Sequence, residues 1–136
     1  LAKDVFELDL ISDPKLLPEL ESFIQKILKQ LKIDKEKRTG ILLAVAEGST
    51  NAMMHGNKWD KSKKIRVIVK LEPSKITVKI KDEGKGFNPS DVPDPTAPEN
   101  ILKDSGRGLF IMKTYVDDVH YNFTPEGTEL VISSNF

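Results

Sequence analysis

The sequence predicts an α+β domain, a mixed but mostly antiparallel sheet carrying helices on one face. Three observations lead there. Five short segments alternate apolar and polar residues with a period of two, as half-buried strands do. Three others repeat apolar residues at helical spacing. Their order is strand, two helices, two strands, a long loop, helix, two strands, which sets four of the strands into two hairpins.

From Val5 to Ile11, Phe6, Leu8 and Leu10 share one face while Glu7 and Asp9 share the other. Asp13-Pro14 then supplies an N-cap and a proline at the first helical position, and Pro18 delays the helix proper to about its own place. Leu16, Leu20, Phe23, Ile24, Ile27, Leu28 and Leu31 form the apolar face of that helix. Asp34 caps a second helix running from Lys35 to His55, with Gly56 as its stop. Leu42, Val45, Ser49, Ala52 and Met53 make its apolar stripe. Strands Ile65–Glu72 and Lys75–Asp82 meet at Pro73-Ser74. The stretch from Glu83 to Arg107 holds Pro89, Pro93, Pro95 and Pro98 and few apolar residues. So long a loop inside a compact domain is usually functional or mobile. Leu109 to Asp117 is helical in pattern, and His120–Thr124 with Thr128–Ser133 closes the chain as a hairpin around Pro125-Glu126-Gly127. With no repeat and no internal boundary, residues 1–136 read as one domain.

Bulk properties remove several function classes. The chain has no cysteine, so a disulfide framework and a thiolate metal site are excluded. The only histidines, His55 and His120, lie far apart, which disfavours zinc. Lys+Arg and Asp+Glu both number 21, a net charge of zero that argues against broad electrostatic binding to nucleic acid. No apolar run approaches the roughly 18 residues of a membrane span, and the start Leu1-Ala2-Lys3-Asp4 is no signal peptide. The expectation is a cytoplasmic domain with no membrane and no direct nucleic-acid partner.

Three constellations carry chemistry. In Glu47-Gly48-Ser49-Thr50-Asn51-Ala52-Met53-Met54-His55-Gly56, the residues Glu47, Asn51 and His55 form one polar row along a helix. A carboxylate there can accept a proton, and an amide oxygen suits hard Mg²⁺; the competing reading is a solvated helix face. Gly48 costs about 1 kcal/mol against alanine in a helix interior, which close approach of a ligand or another backbone would explain. In Asp82-Glu83-Gly84-Lys85-Gly86-Phe87, Asp82 has the parity of Ile76, Val78 and Ile80, so its carboxylate points to the core side and needs hydrogen-bond donors. An adenine amino group is one such donor; the alternative is an Asp that caps the next turn. Gly84 and Gly86 permit close backbone approach. In Ser105-Gly106-Arg107-Gly108-Leu109-Phe110, a glycine-rich turn ahead of a helix can present N–H groups to phosphate, with Arg107 adding charge; a plain helix-start turn fits as well. It is not a Walker A motif, which needs Gly-Lys-Ser/Thr. Thr128, after Gly127, shares core parity with Leu130 and Ile132.

The order of these motifs, Glu-x-x-x-Asn-Ala-x-x-His-Gly, Asp-x-Gly-x-Gly-Phe, Ser-Gly-Arg-Gly-Leu and Gly-Thr, resembles the Bergerat ATPase signature of gyrase, mismatch-repair ATPases and histidine kinases. The resemblance runs from about Val5 to Ile132. The compact size, without a phosphoacceptor helix pair, is similar to the anti-sigma-factor serine kinases, and Val92-Pro93-Asp94-Pro95 to Glu99-Asn100 resembles the lid of that group. The resemblance implies a two-layer α+β sandwich binding ATP and Mg²⁺. It implies Glu47 as general base, Asn51 as Mg²⁺ ligand, and Asp82 as acceptor from the adenine amino group, with help from Thr128. Gly84, Gly86 and Phe87 would shape the pocket floor, Gly106, Arg107, Gly108 and Leu109 would meet the phosphates, His55 would line the site, and residues 88–105 would form an ATP lid. The implied activity is transfer of the γ-phosphate to a serine or threonine of an anti-sigma-factor antagonist-like protein. The alternatives are a non-catalytic ATP-binding module that sequesters a sigma factor or other regulator, and the catalytic part of a histidine kinase. The implied family also pairs as a homodimer, for which Phe6, Leu8 and Leu10 near a sheet edge offer a surface. The other reading is that this face packs under the first helix.

Overall fold

The computed structural model describes residues 4–84 and 104–136, and of residues 104–109 the backbone path alone. Five strands form one sheet: β1 (Asp4–Ile11), β2 (Lys64–Glu72), β3 (Lys75–Lys81), β4 (Asp118–Thr124) and β5 (Gly127–Asn135). Their order is β1-β2-β3-β5-β4, and every pairing is antiparallel. The expected strands are all present, within two residues at each end.

Period-two alternation becomes a continuous apolar layer through register. Leu8 lies opposite Val67, Val67 opposite Ile80, Ile80 opposite Leu130, and Leu130 opposite Tyr121. A parallel row runs Phe6, Val69, Val78, Ile132, Val119. Three helices cover this face: α1 (Leu17–Leu28), α2 (Lys35–Asn51) and α3 (Asp104–Tyr115). Leu20, Ile24, Leu28, Ile41, Val45, Met53 and Met112 are buried between helices and sheet. Each such side chain contributes about 1.5–3 kcal/mol. The opposite face carries the polar residues of the same strands, including the cross-strand pairs Arg66–Asp9 and Lys81–Glu129. Because helices cover only one side of the sheet, the two faces of β1 differ: Leu10 is buried, Phe6 and Leu8 pack on the core, and Val5 and Ile11 are exposed. The Phe6–Leu10 face therefore lies under the helices, the second of the two readings drawn from sequence.

Helix boundaries follow the caps, with three corrections. Asp13 accepts a hydrogen bond from the Lys15 N–H at 3.0 Å and opens a 3₁₀ turn at Pro14–Leu16 before α1 begins at Leu17, in line with the delay expected from Pro18. Leu31 falls past the end of α1, in a turn closed by its N–H on Leu28. The chain must reverse there to reach Asp34, which caps α2 through the Lys37 N–H at 2.7 Å. The last turn before Gly56 is a π-helix, Ala52–Gly56, with the Asn57 N–H bonded to the Ala52 carbonyl at 2.9 Å. His55 thus lies in a π turn and not in the α-helical run that carries Glu47 and Asn51. Finally, the helix expected from Leu109 starts at Asp104, so Ser105, Gly106, Arg107 and Gly108 lie within its first turns and not in a preceding loop. Glycine is tolerated best at a helix start, where the first N–H groups have no intrahelical partner to lose.

Candidate functional site

Asp82 follows the last residue of β3 and keeps the inward parity of Ile80. Its Oδ1 accepts two backbone N–H groups, from Gly84 at 3.0 Å and Thr128 at 3.1 Å, while its own N–H donates to the Thr128 carbonyl at 3.0 Å. Three glycines let the chain close around it. A Cβ on Gly56 would collide with the Asp82 carboxylate, one on Gly84 with the Gly56 carbonyl, and one on Gly127 with the Asp82 carbonyl. Burial raises the pKa of this carboxyl above its ordinary 3.8, against the two backbone bonds that lower it. An ionised carboxylate has about four acceptor positions. With Oδ1 taken twice, Oδ2 retains the capacity to accept from a ligand amino group. Thr128 contributes its backbone N–H and carbonyl to this turn.

A second residue fixes this turn. Asn57 is 1 % exposed. Its Nδ2 donates to Ser12 Oγ at 2.8 Å and to the Lys64 carbonyl at 2.9 Å, and its Oδ1 accepts from the Glu83 N–H at 2.8 Å. Ser12 Oγ in turn donates to the Lys63 carbonyl at 3.0 Å. The end of β1, the start of β2 and the turn after β3 are thus tied through one amide. Sequence reading missed Asn57. The available signal was an Asn directly after a helix-ending glycine, which by itself says only that a helix stops.

Glu47 and Asn51 project from α2 toward the far end of the sheet. Gly48 explains how α2 comes so near: a Cβ there would meet Leu130 Cδ2, and Ile80 Cδ1 at 3.1 Å. The close neighbour is therefore sheet side chains, not the ligand or backbone anticipated. Next to Leu130 in register stands Tyr121, half-buried and stacked on Phe123 with ring centroids 5.6 Å apart. The Asn51 side chain and the carboxylates of Glu47 and Asp82 lie near enough to act on the Tyr121 hydroxyl. Burial first, then Glu47, push the phenol up to about 12 against the lowering effect of Asn51 and with a smaller push from Asp82. The fold thus gathers Glu47, Asn51, Asp82 and Tyr121; the last was absent from the sequence reading, where Tyr at a strand position reads as packing.

The remaining expected residues divide as follows. His55 is exposed. Gly106, Arg107, Gly108 and Leu109 lie in the first turns of α3. Gly86, Phe87 and residues 88–103 of the expected lid lie outside the described residues, while Asp104 and Ser105 belong to α3. Among the described residues no group of three His, Cys, Asp or Glu side chains could hold a metal, and no helix is long and apolar enough to cross a membrane. A lone amide oxygen beside a carboxylate suits Mg²⁺, which keeps several waters and binds mainly through substrate phosphates. The donor set therefore fits a metal–nucleotide complex better than a protein-only metal site. A separate apolar groove of about 120 Å³ between α1 and α2, lined by Leu17, Leu20, Ile24, Leu42 and Val45 among others, contains none of these residues.

The sequence family described as the histidine kinase-like ATPase domain matches residues 10–134. The chain is similar to the anti-sigma F factor of Bacillus subtilis, 32% identical over 128 residues that cover 88% of this chain and 86% of that protein. It is also similar to the anti-sigma F factors of Anoxybacillus flavithermus (34% over 121 residues, 82% of each chain) and Clostridium perfringens (30% over 114 residues, 80% of each). Among solved structures, the RsbU and RsbW domains of a Mycobacterium tuberculosis protein superpose with a TM-score of 0.71 at 16% identity, covering 96% of this chain and 32% of that one. The mycobacterial sensor histidine kinase MprB superposes with a TM-score of 0.57 at 16% identity over 97% of each chain. These last two likenesses concern the fold.

Proposed function

The chain belongs to the histidine kinase-like ATPase family, together with the anti-sigma F factors, and we propose that it is an ATP-dependent protein serine/threonine kinase of the anti-sigma-factor type. The observation that carries this reading is the half-buried Asp82 carboxylate, whose Oδ1 is fixed by the Gly84 and Thr128 N–H groups while Oδ2 is left to accept, with Glu47 and Asn51 one turn apart on α2. A site that only held a nucleotide would need Asp82 and a phosphate contact; a carboxylate one helical turn from the amide oxygen adds a base beside the cation position.

In this reading ATP binds with its adenine amino group on Asp82. Asn51 Oδ1 would hold Mg²⁺, which when bound would neutralise phosphate charge. The first turn of α3, which begins at Asp104 and includes Gly106, would offer free N–H groups to the phosphates, with Arg107, Gly108 and Leu109 following directly after. Glu47 takes the proton of the acceptor hydroxyl as its oxygen bonds to the γ-phosphorus and the bond to ADP breaks. The acceptor is a serine or threonine of an anti-sigma-factor antagonist-like protein. The names of the relatives also support a sigma factor as a second partner, and with Phe6, Leu8 and Leu10 packed on the core, any pairing of two copies would run through the backbone edge of β1. The test is incubation of the chain with γ-labelled ATP and Mg²⁺ in the presence of co-purified cell proteins. Label on serine or threonine of one small protein, absent with Glu47→Gln, is the expected result. No transfer by a chain that binds Mg·ATP would favour the ATP-holding, sigma-sequestering module instead.

A further inference from the structure

The turn Asp82-Glu83-Gly84 decides where the second carboxylate oxygen of Asp82 stands, and its own sequence leaves it loose. Gly84 must be glycine because a Cβ there would meet the Gly56 carbonyl, and a glycine backbone is the least restricted of all. A restraint from outside the turn is needed to give the carboxylate one position. Two such restraints converge on Glu83, the residue between Asp82 and Gly84. Its N–H donates to Asn57 Oδ1 at 2.8 Å, and its carboxylate accepts from the Lys64 N–H.

The chemistry of its neighbours allows Asn57 a single orientation. The Glu83 N–H can only donate and the Lys64 carbonyl can only accept. Oδ1 must therefore face Glu83 and Nδ2 must face Lys64, where it donates at 2.9 Å. Ser12 Oγ gives its own proton to the Lys63 carbonyl at 3.0 Å and accepts the other Nδ2 hydrogen at 2.8 Å. With these three partners and 1 % exposure, the amide has no water to turn to. From this fixed post the restraint passes along the backbone. Asn57 holds the Glu83 N–H, and the next N–H, that of Gly84, meets Asp82 Oδ1 at 3.0 Å. Asn57 also directly follows Gly56, whose missing side chain makes room for the Asp82 carboxylate. The room for the acceptor and the hold on its turn thus come from adjacent residues.

We propose that Asn57 is a positioning residue for base recognition: by fixing the Glu83 N–H it keeps Asp82 Oδ2 where the amino group of adenine would meet it. This rests on the reading above, in which Asp82 is the adenine acceptor. Asn57 touches no part of the nucleotide in this scheme and acts through the Glu83–Gly84 backbone.

The test is calorimetry on the whole chain with Mg·ATP and with the Mg²⁺ complex of purine riboside triphosphate, which carries hydrogen in place of the adenine amino group. Wild type is expected to prefer ATP. Asn57→Ala should lose roughly 3- to 10-fold in ATP affinity, the range of one net hydrogen bond, and keep its affinity for the analogue within about twofold, so the preference shrinks. In an Asp82→Asn background the same substitution should leave the ratio of the two affinities where Asp82→Asn alone sets it. Ile27→Val, a core truncation on α1 that also lowers the urea midpoint, should keep the full preference, which separates positioning from lost stability. If Asn57→Ala does not fold, Ser12→Ala carries the test: it removes one of the two acceptors that hold Nδ2 and should narrow the preference by about twofold. An undiminished preference in the variant, an equal loss for both nucleotides, or the same narrowing in Ile27→Val overturns the proposal and leaves the kinase reading intact. Equal binding of both nucleotides by the wild type, or binding of neither, overturns the Asp82 assignment and the proposal with it.

Discussion

Replacing Asp82 by Asn tests how the site reads its base. Asp82 Oδ1 accepts from the N–H groups of Gly84 and Thr128 at 3.0 and 3.1 Å. In Asp82→Asn the amide oxygen must keep that place, because the reverse orientation sets an NH₂ group against two N–H donors. The NH₂ then stands where Oδ2 stood, beside Gly56, and faces the amino group of adenine donor to donor. Loss of a hydrogen bond to a charged group costs about 1.5–3 kcal/mol, or roughly 10- to 150-fold in affinity. Guanine carries a carbonyl where adenine carries the amino group, so the preference should move toward GTP. Calorimetry with both nucleotides at neutral pH measures it, with a circular-dichroism melt as the control for folding. Equal binding of ATP and GTP by the wild type, or unchanged ATP affinity in the variant, would refute the assignment. The pH dependence follows from the raised pKa of Asp82. Adenine binding needs the ionised form, so affinity should fall as pH drops through that raised value. For stability the sign is opposite. The folded chain holds this proton more tightly than the unfolded chain, so the contribution of Asp82 is full below the ordinary 3.8 and is lost as pH rises through its folded value.

Glu47→Gln keeps size and hydrogen bonding but cannot take a proton; it should bind Mg·ATP nearly as wild type and transfer phosphate at least about 100-fold more slowly, and full turnover would rule out the base. Asn57→Ala leaves the Glu83 N–H and the Lys64 carbonyl without their partner, and should cost about 1–3 kcal/mol in urea unfolding; an unchanged midpoint would show that the amide is dispensable. Lys58 has a φ of 53°, a left-handed conformation that strains any side-chain-bearing residue by about 1–2 kcal/mol. Lys58→Gly should therefore raise stability by about 0.5–1 kcal/mol after glycine's entropy is counted, and a loss in the same urea titration would contradict this. The free edge of β1 with exposed Val5 and Ile11 should support a dimer in sedimentation at micromolar concentration, and a monomer throughout would remove that pairing.

Much of this protein is local and therefore legible in one dimension. The inward parity of Asp82 follows from the period of two that begins at Ile76, because a strand in register has no freedom to turn one residue over. Asp13 and Asp34 announce helix starts because a short acceptor side chain satisfies N–H groups only a few residues ahead. The motif order from Glu47 to Thr128 carried the resemblance to the family whose match spans residues 10–134, since a motif is a set of residue types at fixed intervals and needs no fold to be read. What tertiary structure alone decided are contacts between residues whose separation carries no period. Asn57 meets Glu83 across 26 positions and Asp82 meets Thr128 across 46, distances over which no propensity acts. The insertion of β5 between β3 and β4 is what brings Leu130 under Gly48 and sets Tyr121 beside Asn51. The same is true of the π turn at Ala52–Gly56, which holds His55. Helical periodicity could not foresee it, because the Asn57 amide is held by β1, β2 and the Asp82 turn, and the helix end accommodates that anchor.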